Sequence, residues 1–299
     1  MQKFEMKFSG PVSLEKTMDI QIPALEWLKE ANGKYSKFIL NTNVTVSQKN
    51  SQTLAFVWDG KRQNRDIELR IKDAFPFLLK DIDVGDNEAL KLLQAHYGEI
   101  AYMRTDPFRA LITTILSQNR TGEITRKVFH KLSVHLKGIS AKKIIEMPEE
   151  ELKEIIRSSG PYKANFMQES CKMITKDFSG DLERLVTLDT NEALRELTKL
   201  KGVSHKTAAC ILVYSDMKRD VTPVDTHLGR VVSRIGLVSI KNKSMTRLTQ
   251  EDISTQLSRI IPDLGYAHLF FVMLGREVCF SKSPECVKCP VAKVCSFRI

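Results

Sequence analysis

The sequence predicts a mainly helical protein with a small β-rich N-terminal part, α+β overall. Three observations predict it. From Asn87 to Val278 apolar residues recur at helical spacing. Before Asn87, short runs alternate apolar and polar residues as strands do. The last 21 residues carry four of the six cysteines and stand apart from both. The expected organisation is therefore a β-rich domain over 1–90, a helical body over 91–278 and a cysteine loop over 279–299.

The N-terminal elements come first. Val44 and Val46 alternate with Asn43, Thr45 and Ser47, and a polar break over 48–52 follows. Leu54 to Trp58 reads as a buried strand that stops at the turn signal Asp59-Gly60. Ile67, Leu69 and Ile71 alternate with Glu68 and Arg70, which predicts a third strand. Together these give a small antiparallel sheet, with a helix over Ile22 to Ala31 packed on it.

The helical body begins with Thr105-Asp106-Pro107, a cap followed by proline in the first turn. Phe108, Leu111, Ile112, Ile115 and Leu116 form the apolar stripe of that helix. It runs out at Ser117-Gln118-Asn119-Arg120-Thr121. Further helices are predicted over Ile124–Leu136, Ser140–Ile145 and Pro148–Ile156. Gly160-Pro161-Tyr162-Lys163 breaks the pattern, which resumes over Asn165–Phe178 and Thr187–Leu200. Thr207–Tyr214, Val231–Leu237, Asp252–Ile261 and Tyr266–Val278 complete one all-α body of two lobes. No internal repeat or low-complexity tract interrupts it.

A chain of 299 residues, 42% hydrophobic and 27% charged, can bury a large core. Its net charge of +10 and pI near 9.2 favour an anionic partner, nucleic acid first. No run of 18 apolar residues predicts a membrane span, and Met1 to Gly10 contains no apolar signal core. The expectation is a monomer in the cytoplasm, or in the nucleus of a cell that has one.

Chemistry concentrates between Leu200 and Arg230. Gly202-Val203-Ser204-His205-Lys206-Thr207 reads as a tight turn opening an apolar helix. Nineteen residues after Lys206 comes Asp225, inside Pro223-Val224-Asp225-Thr226-His227. A lysine and an aspartate so placed point to a nucleophilic amine beside a carboxylate. The amides of a helix-opening turn also make a phosphate seat, built here from Gly202, Val203, Ser204, His205 and Thr207. The plainer roles are a phosphate-binding lysine and, for Asp225, the N-cap of a helix starting near Thr226. A cap and a charge-stabilising carboxylate are compatible in one side chain.

Cys279, Cys286, Cys289 and Cys295 follow a C-x6-C-x2-C-x5-C spacing. Four thiols in so short a loop read as a metal site, not as disulfides. Zinc and a [4Fe–4S] cluster both accept four thiolates, and chemistry alone does not choose between them. Cys171 and Cys210 lie in apolar helical patterns and read as small core residues. Lys282, Lys288, Lys293 and Arg298 surround the four cysteines and could turn a basic face to phosphates.

These motifs resemble one family. Leu200, Gly202, Val203, Lys206, Thr207 and Ala208 match the hairpin of the helix-hairpin-helix DNA glycosylases of the endonuclease III superfamily, and Val224 to His227 match its aspartate run. Lys201 and Ser204 depart from the family's proline and second glycine. A serine where the backbone is expected at positive φ would cost strain. The resemblance implies a two-lobed glycosylase fold acting on damaged double-stranded DNA. Lys206 would form a Schiff base, Asp225 would stabilise charge at the sugar, and β-elimination would nick the strand. It implies that Asn119, with Gln118 beside it, enters the gap left by the extruded base. The cysteine spacing resembles the family's [4Fe–4S] loop and so favours iron–sulfur over zinc. Oxidised pyrimidines are the favoured substrates. The β-rich N-terminal part resembles that of 8-oxoguanine and alkyladenine glycosylases, which leaves 8-oxoguanine, methylated or mismatched bases as alternatives. A non-catalytic DNA-binding module would not need both Lys206 and Asp225.

Overall fold

In a computed structural model, the chain is described over residues 1–40, 42–59, 64–239 and 246–297. Gly60 of the expected turn and Arg298 of the basic face lie outside the described residues. The chain opens with β1 (Gln2–Lys7) and α1 (Leu14–Ile20), then forms β2 (Leu28–Lys29), β3 (Tyr35–Ile39), β4 (Thr42–Asn50) and β5 (Thr53–Trp58). The strands make one antiparallel sheet in the order β1-β5-β4-β3-β2. Val46 lies opposite Phe56, and Val44 opposite Trp58. These inward residues join Trp27 and Phe75 in a core of their own.

Two sequence expectations are corrected here. Ile67, Leu69 and Ile71 belong to a helix, α2 (Asn64–Ala74), not a strand. Ile67, Ile71, Ala74 and Phe75 are buried at helical spacing, while Leu69 is 54% exposed. The predicted helix over Ile22–Ala31 shrinks to one 3-10 turn, Pro23–Glu26. The chain then enters β2, and Gly33 at φ +76° turns it into β3. Two further strands pair on either side of the predicted ones: β1, whose Phe4 and Met6 alternate with Lys3, Glu5 and Lys7, and β3.

The rest is helical: α3 (Glu88–Tyr97), α4 (Pro107–Ser117), α5 (Gly122–His135), α6 (Ala141–Glu146), α7 (Glu149–Ile155) and α8 (Lys163–Asp177). Then come α9 (Thr190–Thr198), α10 (His205–Tyr214), α11 (Thr226–Ile235), α12 (Arg247–Ser258) and α13 (Leu264–Glu277). Asp106 caps α4 by accepting from the Arg109 amide at 2.8 Å, and Pro107 follows in the first turn as the sequence predicts.

Two apolar cores divide these helices. One gathers α4 to α9; the other gathers α3, α11, α12, α13 and the cysteine loop. Helix α10 serves both, giving Ala208, Ala209 and Ile211 to the first and Cys210 and Tyr214 to the second. It therefore lies at the seam between two lobes.

The sheet is fastened to the helical body by buried polar contacts. Glu26, completely buried, accepts from Lys37 at 2.6 Å and from Arg109 of α4 at 2.8 Å. These two cations outweigh burial and hold its carboxyl down at about 2. Arg126 of α5 donates to the carbonyls of Met18, Ala24 and Trp27. Gln21 bonds the backbone of Ala101 and Met103, both at 2.8 Å.

Candidate active site

The hairpin is built by α9, a turn over 199–204, and α10. Gly202 takes φ +74°, and a Cβ there would lie 2.5 Å from the Phe166 ring. Only glycine meets both demands. Ser204 sits at φ −82° and is the N-cap of α10, accepting from the Thr207 amide at 3.3 Å. The strain expected at Ser204 is therefore absent, because the left-handed residue of this turn is Gly202.

Lys206 lies in the first turn of α10 and is exposed. Asp225 is half-buried and is the N-cap of α11; its Oδ1 accepts from the Leu228 amide at 2.8 Å. The predicted capping role is thus present, and it fixes the direction of the carboxylate.

The helices that these two side chains open pack Cys210, Tyr214 and Leu228 into one buried patch. Cys210 follows Lys206 by one helical turn on the same face of α10. Burial pushes its thiol up to about 11, while Lys206 pulls it down and Asp225 pushes it further up. His268 of α13 feels the same pair: burial lowers it to about 4, Asp225 opposes this and Lys206 adds to it. Both groups of the predicted pair therefore act on the same two buried neighbours.

His268 and Tyr214 form the floor of this patch. His268 Nδ1 lies 2.6 Å from the Gly265 carbonyl, so it carries the proton and donates there. Nε2 is left as an acceptor for the Tyr214 hydroxyl at 3.0 Å. Reasoning from sequence did not single out Tyr214 or His268. Tyr214 lies two turns along α10 from Lys206, which was a usable signal; His268 offered none.

The other candidates are distributed as follows. Asn119 is exposed at the end of α4, in a left-handed conformation at φ +55°. Its neighbour Gln118 donates to Gly202 O at 3.0 Å and to Thr207 Oγ1 at 3.3 Å. Gln118 thus ties α4 to the hairpin. Thr207 is buried beneath the turn. His205 is buried, and its ring lies 3.7 Å from Glu251. Val203 is buried. His227 packs against Gly275 of α13 and meets Arg230 at 3.2 Å.

The cysteine loop follows α13 directly. Cys279, Cys286, Cys289 and Cys295 all line one cavity of about 50 Å³. Burial raises the Cys289 thiol, and Cys279, Cys295 and Cys286 raise it further. Among the described residues no three His, Cys, Asp or Glu side chains stand close enough to hold a single metal ion. Arg230 and Arg234 of α11 hold the loop's backbone, donating to the Cys279 carbonyl at 2.9 Å and the Phe280 carbonyl at 2.6 Å. One helix therefore carries Asp225 at its start and the cysteine loop at its end. Lys282, Lys288 and Lys293 are exposed around it, with Lys288 paired to Glu285 at 2.7 Å.

Known proteins share this fold. A solved endonuclease III, trapped as a covalent intermediate with DNA, superposes with a TM-score of 0.58 at 28% identity, over 69% of this chain and 92% of that one. The 8-oxoguanine glycosylase/lyase of Clostridium acetobutylicum in its apo form gives a TM-score of 0.66 at 19% identity. That match spans 91% of this chain and 96% of the other, N-terminal sheet included, and it speaks to the fold alone. Endonuclease III of Thermotoga maritima is 30% identical over 200 residues, which are 66% of this chain and 85% of that enzyme. Residues 112–255 match the HhH-GPD superfamily of base excision DNA repair proteins. The chain belongs to that superfamily, as a DNA glycosylase/AP lyase of the endonuclease III type.

Proposed function

We propose that the chain removes a damaged base from duplex DNA with Lys206 as nucleophile and then nicks the strand. One observation carries this reading: Lys206 and Asp225 open two different helices, α10 and α11, whose Cys210, Tyr214 and Leu228 pack into one core. In the reaction, the neutral Lys206 amine attacks C1′ of the deoxyribose. The C1′–N bond breaks, the base leaves with its electron pair, and the amine loses a proton. Opening of the sugar ring gives a Schiff base. Loss of a C2′ proton then expels the 3′ phosphate by β-elimination. Positive charge grows at C1′ as the base departs, and the carboxylate held by the Leu228 amide stabilises it. The target base must leave the duplex stack to reach the pair. Asn119 would fill the gap, and the amides at the start of α10 would hold a phosphate.

Oxidised pyrimidines are the favoured substrates, on the strength of the cysteine loop. A second reading, 8-oxoguanine, is supported by the five-stranded N-terminal sheet that packs on the helical body. A panel of single-lesion duplexes scored for strand nicking separates the two. The four cysteines would hold a [4Fe–4S] cluster. Four thiols lining one cavity suit such a cluster, the C-x6-C-x2-C-x5-C spacing favours it over zinc, and its contribution would be a fixed loop. Purified protein should contain about four irons per chain and absorb broadly near ~400 nm; one zinc and no iron would sink this assignment.

Borohydride trapping on abasic DNA tests the mechanism. Lys206→Gln should form no covalent adduct and should still bind damaged duplex. Asp225→Asn should slow base release by about 100-fold, since lost charge stabilisation at a transition state costs about 3 kcal/mol. Trapping of Asp225→Asn on a pre-formed abasic site should change less. An adduct formed by Lys206→Gln at the wild-type rate would assign the nucleophile to another amine.

A further inference from the structure

Lys163 is fully buried, and the mechanism above does not use it. It opens α8, where the helix dipole disfavours a cation, and burial costs an ammonium more. Burial lowers its ammonium to about 8, and Arg120 adds to this. Two unfavourable effects need something to offset them. The end of α4 supplies it.

Helix α4 stops abruptly. Gln118 leaves helical geometry at φ −55°, ψ 122°, and Asn119 is left-handed. The last carbonyls of a helix need partners from elsewhere. Those of Ile115 and Ser117 accept from the backbone amides of Gln118 and Arg120. Those of Leu116 and Gln118 accept instead from Lys163 Nζ, at 2.9 Å and 2.7 Å. Ser159 Oγ joins the Leu116 carbonyl at 2.5 Å. The Gln118 carbonyl belongs to the peptide that enters Asn119. Fixing that peptide plane fixes the direction in which Asn119 leaves the turn. The opposite side of the same residue is held by the Gln118 side chain on the hairpin.

We propose that Lys163 is a positioning residue: its ammonium clamps the Gln118–Asn119 peptide and so aims Asn119 at the gap in the duplex. This rests on the reading of Asn119 as the gap-filling residue, and the test separates the two. Lys163→Met keeps the apolar stem and removes the donors. The probe is a duplex with a tetrahydrofuran abasic analogue and 2-aminopurine opposite it, titrated with full-length Asn119→Ala, Lys163→Met and the double variant. Asn119→Ala and Lys163→Met should each weaken this complex about tenfold, with equal loss of the 2-aminopurine response. The double variant should be no weaker than either single one. Lys163→Met should trap single-stranded abasic DNA, which has no gap to fill, within twofold of wild type. If the Met variant does not fold, Lys163→Gln, which keeps a donor, should show a smaller loss in the same assay. Wild-type binding by Asn119→Ala would overturn the gap-filling reading and this proposal with it. A weak Asn119→Ala beside a normal Lys163→Met or Lys163→Gln, or additive losses in the double variant, would overturn this proposal alone.

Discussion

His268 is 2% exposed, and both of its ring nitrogens are engaged, one by Gly265 and one by Tyr214. Held neutral with its titration lowered to about 4, it gives the protein an acid-sensitive joint beneath the proposed site. The sign follows from linkage. The unfolded chain binds a proton on this ring near pH ~6.5, the folded chain only near pH 4, so stability falls as pH drops between the two. The loss should approach roughly 3 kcal/mol at the acid end. His268→Gln, measured by denaturant unfolding from pH 7 to pH 4, should show a flatter dependence; an equally steep one would mean that other groups dominate. Lys206 and Asp225 stand out in the sequence because each lies inside a contiguous motif. The Tyr214–His268 pair joins positions 54 apart, and no local pattern announces it. Gln118 shows the reverse problem. It stands beside Asn119 in sequence, yet its side chain is bonded to the hairpin while Asn119 takes the left-handed conformation that ends the helix.

At the scale of elements, the helices were legible and part of the N-terminal domain was not. Ile67, Leu69 and Ile71 satisfy a strand's period over five residues, too short a window to exclude a helix. Ala74 and Phe75 break the tie, because they continue the buried stripe of Ile67 and Ile71. The hairpin yields a prediction of its own. Gly202→Ala places a methyl at φ +74° and within 2.5 Å of Phe166. The left-handed backbone alone costs about 1–2 kcal/mol, and displacement of Phe166 adds to that. The variant should unfold at lower denaturant, and the start of α10 should shift enough to reduce borohydride trapping by Lys206. Unchanged stability and trapping would show that the turn tolerates a side chain, and that Gly202 is not what sets the hairpin's shape.

At the scale of the molecule, α10 joins the two helical cores, and the Glu26, Arg126 and Gln21 contacts keep the sheet, with its own core, against the helices. None of these ties was legible, since each joins segments some 80 or more positions apart through single side chains. The net charge of +10 was legible, but its placement was not. The structure leaves Lys282, Lys288 and Lys293 exposed on the cysteine loop and pairs Lys288 with Glu285. If the loop meets phosphates, each lysine that does so releases a counterion and steepens the fall of affinity with salt. Lys282→Ala and Lys293→Ala should each lower the log–log salt slope of duplex binding by about one unit. Lys288→Ala should lower it by less, because Glu285 competes with a phosphate for the same ammonium. All three should weaken binding equally for damaged and undamaged duplex, as phosphate contacts carry no information about the base. A triple variant with the wild-type slope would place this face away from DNA, and the loop's role would then be to hold α11, and with it Asp225, in position.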